Sequence, residues 1–109
     1  MALYPLFADL AGREVLVVGG GEVAARKIAA LLRAGADVRM HTRAIGHPDI
    51  QAAVDQGRIT CLGGDFDPAW LDGVWLVVAA TDDHAFNSIP ATEAGRRRRL
   101  INVVDDAAL

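Results

Sequence analysis

The stretch EVLVVGGGEVAARK, from Glu14 to Lys27, limits what this chain can fold into more than any other. Val15, Leu16, Val17 and Val18 form a short apolar run suited to a strand buried on both faces. Three glycines follow, and then residues that open a helix. Gly19, Gly21 and Ala24 fill the small-residue positions of the pattern G-x-G-x-x-G/A. The first lets the chain turn off the strand, the second leaves room for a pyrophosphate against the main chain, and the third lets helix and strand pack closely. The amides of the first helical turn, with the positive end of the helix dipole behind them, then face an anion. A glycine-rich turn that binds nothing is the plainer alternative, and the strand before and helix after are the context that favours a dinucleotide site.

The rest of the chain alternates strands with helices. An apolar arm, Tyr4-Pro5-Leu6-Phe7, and a turn through Gly12 lead into the first strand, and the arm is expected to lie against the sheet. The first helix spans about Glu22 to Ala34, with Val23, Ile28, Leu31 and Leu32 on its buried side and Gly35 as a left-handed cap. Strand two covers Asp37 to His41, and Pro48 opens a short helix that stops near Gly57. Strand three is Arg58 to Leu62. Asp67 caps one helical turn with Pro68 in first position. Val74 to Ala80 is a fully buried strand. Thr81, Asp82 and Asp83 cap a last helix to about Arg98, which Pro90 should kink or divide. Leu100 to Val104 is strand five.

This alternation predicts an α/β, Rossmann-like, doubly wound parallel sheet of five strands in the order 3-2-1-4-5. Ligands bind at the edge where the strands end. Four polar sets meet there: Gly19 to Glu22, His41 to Ala44, Thr81 to Asp83, and Asn102 to Asp106.

With 109 residues the chain makes one domain, large enough for its own core. No apolar run approaches the ~20 residues that span a bilayer, and the net charge of −3 gives no general reason to bind nucleic acid or an anionic membrane surface. The first residues lack a basic leader and a cleavable signal pattern, so a cytoplasmic address is expected. The single cysteine, Cys61, reads as a small core residue of strand three. No Cys/His spacing suggests structural zinc.

The segments YPLF, VLVVGGGEVAARK, LLRAGADV, FDPAWLDGVWLVVAATDD, Asn87 and NVVDDA together resemble the N-terminal NAD-binding domain of siroheme synthases and their single-purpose relatives, the precorrin-2 dehydrogenases. The resemblance covers essentially the whole chain. It implies NAD-dependent oxidation of precorrin-2 to sirohydrochlorin, with sirohydrochlorin ferrochelatase (lyase) activity on ferrous iron in many members. The family's nucleotide-contacting positions match Gly21, Glu22 and Val23 after strand one, and Arg43 and Ala44 after strand two. Its essential aspartate matches Asp105. Members continue into a dimerising, substrate-covering region, so this chain is expected to be a fragment of a homodimeric enzyme and inactive by itself.

Asp105 lies just past a strand end, two strands from the glycine loop and so roughly 10 Å away at the ~4.8 Å strand spacing. There it could accept a proton as hydride leaves the tetrapyrrole, whereas a solvated turn aspartate is the bland alternative. Thr81 and Asp82 are helix caps that can also line the pocket. His41, His47 and His84 read as surface loop residues. Arg96 to Arg99 belong to the opposite edge of the sheet, as a solvated cluster complementing a helix dipole. The acid that usually binds the ribose hydroxyls some twenty residues past the glycines is missing, and Arg43 leaves NADP open, whereas the resemblance favours NAD. A domain that senses NAD without chemistry is the competing function, and Asp105 separates the two because a sensor needs no carboxylate there. A fold that has lost its ligand is a third reading, which binding of any dinucleotide would exclude.

Overall fold

The computed structural model describes Tyr4, residues 6–81 and residues 84–103. Nine elements follow in order: β1 (Glu14–Val18), α1 (Glu22–Arg33), β2 (Asp37–His41), α2 (Pro48–Asp55), β3 (Thr60–Leu62), a 3-10 helix (Pro68–Gly73), β4 (Leu76–Ala79), α3 (His84–Arg96) and β5 (Leu100–Val103). The strands form one parallel sheet in the expected order, β3-β2-β1-β4-β5. In register, Val18 stands beside His41 on one side and Ala79 on the other. The ends of β1, β2 and β4 therefore share one rim.

β1 is the centre of the sheet, and its four apolar residues are fully buried. Alternation sends Val15 and Val17 to the face covered by α1 and α2, where they meet Ala24, Ile28, Met40 and Ile50. Leu16 and Val18 point to the other face, against Leu71 of the 3-10 helix and Ala94 of α3. Full burial of each such side chain is worth about 1.5–3 kcal/mol before the cost of ordering the chain.

The ends of α1 follow from its flanking residues. Gly35, at φ 79°, takes the left-handed position that ends the helix. Its amide donates to Leu32 O, and that of Ala36 to Leu31 O, which satisfies two of the last carbonyls. Asp67 accepts from the amide of Ala69 at the start of the 3-10 helix, with Pro68 in first position, as the sequence predicts.

Several expectations are corrected. The arm leaves its apolar side chains in solvent: Phe7, Tyr4 and Leu6 are all exposed. Cys61 is exposed because β3 is a short edge strand with a neighbour on one side only. β3 begins at Thr60 rather than Arg58, and β4 at Leu76 rather than Val74. Trp75, just before β4, is half exposed, and the Arg13 guanidinium lies 3.9 Å over its ring. Of the two outcomes expected at Pro90, a kink or a division, division does not occur: α3 is one helix through it. Proline costs that helix an internal hydrogen bond, and the burial of Pro90 and Ala94 offsets it.

Candidate nucleotide-binding site

The glycine loop extends the sheet ladder. The Gly19 amide donates to His41 O at 2.9 Å, and that of Ala80 to Val18 O at 2.8 Å. Gly19, at φ 140°, has the backbone of β4's end where a side chain would be: a Cβ there would lie 2.4 Å from Ala80 O. The same Cβ would touch Ala24 Cβ at 3.4 Å, and Ala24 is fully buried. The first and third small positions thus serve a single close contact between strand and helix.

Gly21 differs. It is the N-cap of α1 in an extended conformation, no side chain caps the helix, and a Cβ there would meet nothing within 4 Å. The first amides of a helix have no partner within it. Open space above uncapped amides suits the close approach of a phosphate.

Gly20 was not singled out by the fingerprint, yet it is sterically committed. A Cβ there would lie 2.6 Å from both Ala44 O and Thr42 Oγ1. Its carbonyl accepts from the Gly46 amide at 2.8 Å. Thr42 Oγ1 donates to Ala44 O at 2.9 Å, which folds the loop after β2 into a tight turn lying on the glycines. One signal in the sequence marks this residue: the fingerprint needs two glycines before the helix, and the chain has three.

Gly19, Gly20, Gly21, Glu22, Val23, Thr42, Ala44, Gly46 and Thr81 line one shallow cleft of about 260 Å³ at the strand rim. Six of the residues expected to hold a nucleotide are therefore brought together: Gly19, Gly21, Glu22, Val23, Ala44 and Thr81. Arg43 is exposed on the same loop and does not line the cleft. Asp82 and Asp105 lie outside the described residues. Thr81 is held by Asn87, which is 1% exposed: Asn87 Oδ1 accepts from the Thr81 amide at 3.1 Å and from its hydroxyl at 2.6 Å, and Asn87 Nδ2 donates to Thr81 O at 3.0 Å. These bonds fix the turn between β4 and α3.

A larger cleft of about 740 Å³ lies over β4 and β5 beside α1, lined by Tyr4, Leu6, Leu10, Trp75, Leu76 and Leu100 among others. Asn102, expected at the rim, lines this second cleft instead, because it is the β5 residue paired with Val78 inside the sheet. Volume does not make it the better nucleotide site, since the uncapped amides of α1 open into the smaller one.

His41 is not a surface loop residue, and His47, in the loop before α2, is partly buried and bonded. His41 ends β2 at 2% exposure, its Nδ1 donating to Leu62 O at 2.9 Å and its ring 4.9 Å from that of Trp70. Alternation along β2 turns it to the face opposite Met40, where the 3-10 helix covers it. His47 caps α2 by accepting the Asp49 amide at Nδ1, and its Nε2 lies 2.9 Å from Glu22 Oε2. The side chain of His84 lies outside the described residues.

The arginine run sits at the opposite edge, as expected, but it is bonded rather than merely solvated. Arg99 donates to Leu71 O and Asp72 O. Arg97 pairs with Asp72 at 2.9 Å and Glu93 at 2.6 Å, and the hydrogen bonds to these carboxylates hold its pKa above the usual arginine value. Among the described residues, no group of three or more His, Cys, Asp or Glu could hold a metal ion, and no helix is long and apolar enough to cross a membrane.

Residues 6–109 match the protein family described as "Putative NAD(P)-binding". The chain belongs to this family. It is 52% identical over 109 residues to siroheme synthase 1 of Cronobacter sakazakii, a match covering 100% of this chain and 23% of that protein. Against siroheme synthase 1 of Serratia proteamaculans it is 53% identical over 106 residues, covering 97% and 22%. Among solved structures it superposes on SirC, precorrin-2 dehydrogenase, with a TM-score of 0.77 at 30% identity, covering 92% of this chain and 48% of that one. The chain thus spans less than a quarter of the length of these curated relatives.

Proposed function

We propose that this chain is the NAD-binding part of a precorrin-2 dehydrogenase acting in siroheme biosynthesis. The observation that carries the reading is the uncapped N-terminus of α1 opening onto Gly21, in a chain similar over its whole length to siroheme synthases. The residues fit a dinucleotide: the amides from Gly21 to Val23 would hold the pyrophosphate, and the loop of Thr42, Arg43 and Ala44 would hold the adenosine side. Thr81 lines the same cleft, and Asp82 is proposed as a further contact on sequence grounds alone. When bound, NAD supplies the hydride acceptor. Asp105 is the proposed proton acceptor as precorrin-2 is oxidised, supplying the basic group the reaction requires.

A tetrapyrrole needs a pocket that covers most of its surface. The 260 Å³ cleft is too small for that. The rest of the pocket is proposed to come from further protein of the kind that makes up the remaining length of the relatives, in a cytoplasmic homodimer that also inserts ferrous iron.

Calorimetric titration tests the first step: the chain is expected to bind NAD, and Gly21→Val to weaken binding while the fold survives. Unchanged affinity in that variant would remove the glycine loop from the phosphate site.

A further inference from the structure

The dinucleotide fingerprint normally places an acid at the end of β2, where it accepts from the adenosine ribose hydroxyls and disfavours a 2′-phosphate. This chain has none there. His41 is turned to the other face of the sheet, the Thr42 hydroxyl is committed to Ala44 O, and the next residue is Arg43. On these positions alone, the site would favour a phosphorylated ribose.

A carboxylate nevertheless reaches this side of the cleft from a different element. Glu22, in the first turn of α1, lines the cleft together with Thr42, Ala44 and Gly46. Its side chain is 70% exposed, which would ordinarily leave it free to rotate, but Oε2 lies 2.9 Å from Nε2 of His47. The imidazole is itself oriented. Nδ1 accepts the Asp49 amide at 3.1 Å, so the proton resides on Nε2 and points at Glu22. His47 is only 20% exposed and follows Gly46, whose amide is bound to Gly20 O. The loop that carries the donor is thus fastened to the glycine loop from which the acceptor's helix starts.

We propose that Glu22 and His47 form one unit that sets which dinucleotide the site accepts. His47 holds one carboxylate oxygen, and the other, Oε1, accepts from the ribose hydroxyls in place of the missing acid of β2. The same charge opposes a 2′-phosphate and outweighs Arg43. Glu22 is the specificity residue and His47 a positioning residue that acts through it. The inference rests on the dinucleotide reading above.

The test is calorimetric titration of NAD and of NADP into the wild-type chain and into Glu22→Gln, His47→Ala and His47→Asn. Wild type is expected to favour NAD by roughly tenfold or more, the weight of a hydrogen bond to a charged group. Glu22→Gln should bring the two affinities within about threefold of each other, and His47→Ala should lose part of the preference, chiefly by weakening NAD. Asparagine at 47 can still cap α2 but is too short to hold Glu22, so His47→Asn should behave as His47→Ala does. If His47→Asn keeps the wild-type preference, the histidine only caps a helix and the unit does not exist. A wild-type chain that binds both cofactors equally overturns this inference and leaves the dinucleotide reading standing. Binding of neither cofactor overturns both.

Discussion

The three consecutive glycines lead to a prediction that separates fold from function within one loop. Alanine at Gly19 would place its Cβ 2.4 Å from Ala80 O and 2.8 Å from Ala80 C, and it would adopt φ 140°. Ala80 cannot easily yield, because its amide is bonded to Val18 O at 2.8 Å. A backbone conformation of this kind costs about 1–3 kcal/mol for a residue with a side chain, and overpacking against main chain about as much again, so Gly19→Ala should cost roughly 2–6 kcal/mol. For a domain of this length that corresponds to a fall in Tm of roughly 9–26 °C. Alanine at Gly20 meets Ala44 O and Thr42 Oγ1 at 2.6 Å; the threonine side chain can swing away but the Ala44 carbonyl must shift, so the cost should be about 1–3 kcal/mol. Alanine at Gly21 has an allowed conformation and no neighbour within 4 Å. It should change stability by less than about 1 kcal/mol, mainly through a poorer N-cap. Urea titration followed by circular dichroism measures all three. A Gly19→Ala variant as stable as Gly21→Ala would refute the account of the strand–helix contact.

Other outcomes follow from the same contacts. Asn87→Leu removes three hydrogen bonds to Thr81 and leaves its amide and hydroxyl without that acceptor, so stability should fall by about 2–4 kcal/mol in the urea assay. Arg99→Ala frees the carbonyls of Leu71 and Asp72 at the end of the 3-10 helix and should cost about 1–2 kcal/mol, read as a lower urea midpoint. In the protein that turns over precorrin-2, Asp105→Asn keeps size and one oxygen but removes the basic charge; NADH formation, followed by absorbance, should be abolished, and an active variant would remove Asp105 from the mechanism.

The sequence was most informative where a single residue type decides a local geometry. The bounds of β2 follow from its apolar alternation, the end of α1 from Gly35, and the start of the 3-10 helix from Asp67 and Pro68. The parallel arrangement follows from the alternation of elements, and the strand order is the one expected with a dinucleotide fingerprint after β1. What could not be read depends on residues distant in the chain. Gly20 is constrained by Thr42 and Ala44, which sequence order does not place beside it. His41 is buried because Phe66 and Trp70 fold over it, and a histidine at a strand end carries no mark of that. The exposure of Cys61 follows from the position of β3 at the edge of the sheet rather than from its neighbours in sequence. In the cleft, the fingerprint pointed to Gly19, Gly21 and Ala24, whereas the link from His47 to Glu22 requires two loops to meet.

The fastening of the glycine loop bears on how a ligand would enter. The amides of Gly19, Gly46 and Ala80 are all bonded to neighbouring segments, so the rim is part of the sheet and not a flap. Such a site has little to order when it is filled, and the entropy lost on association is that of the ligand more than of the protein. Hydrogen exchange should then show these three amides protected to nearly the same degree with the cleft empty or full. Association should proceed in a single kinetic phase, without a slow closing step.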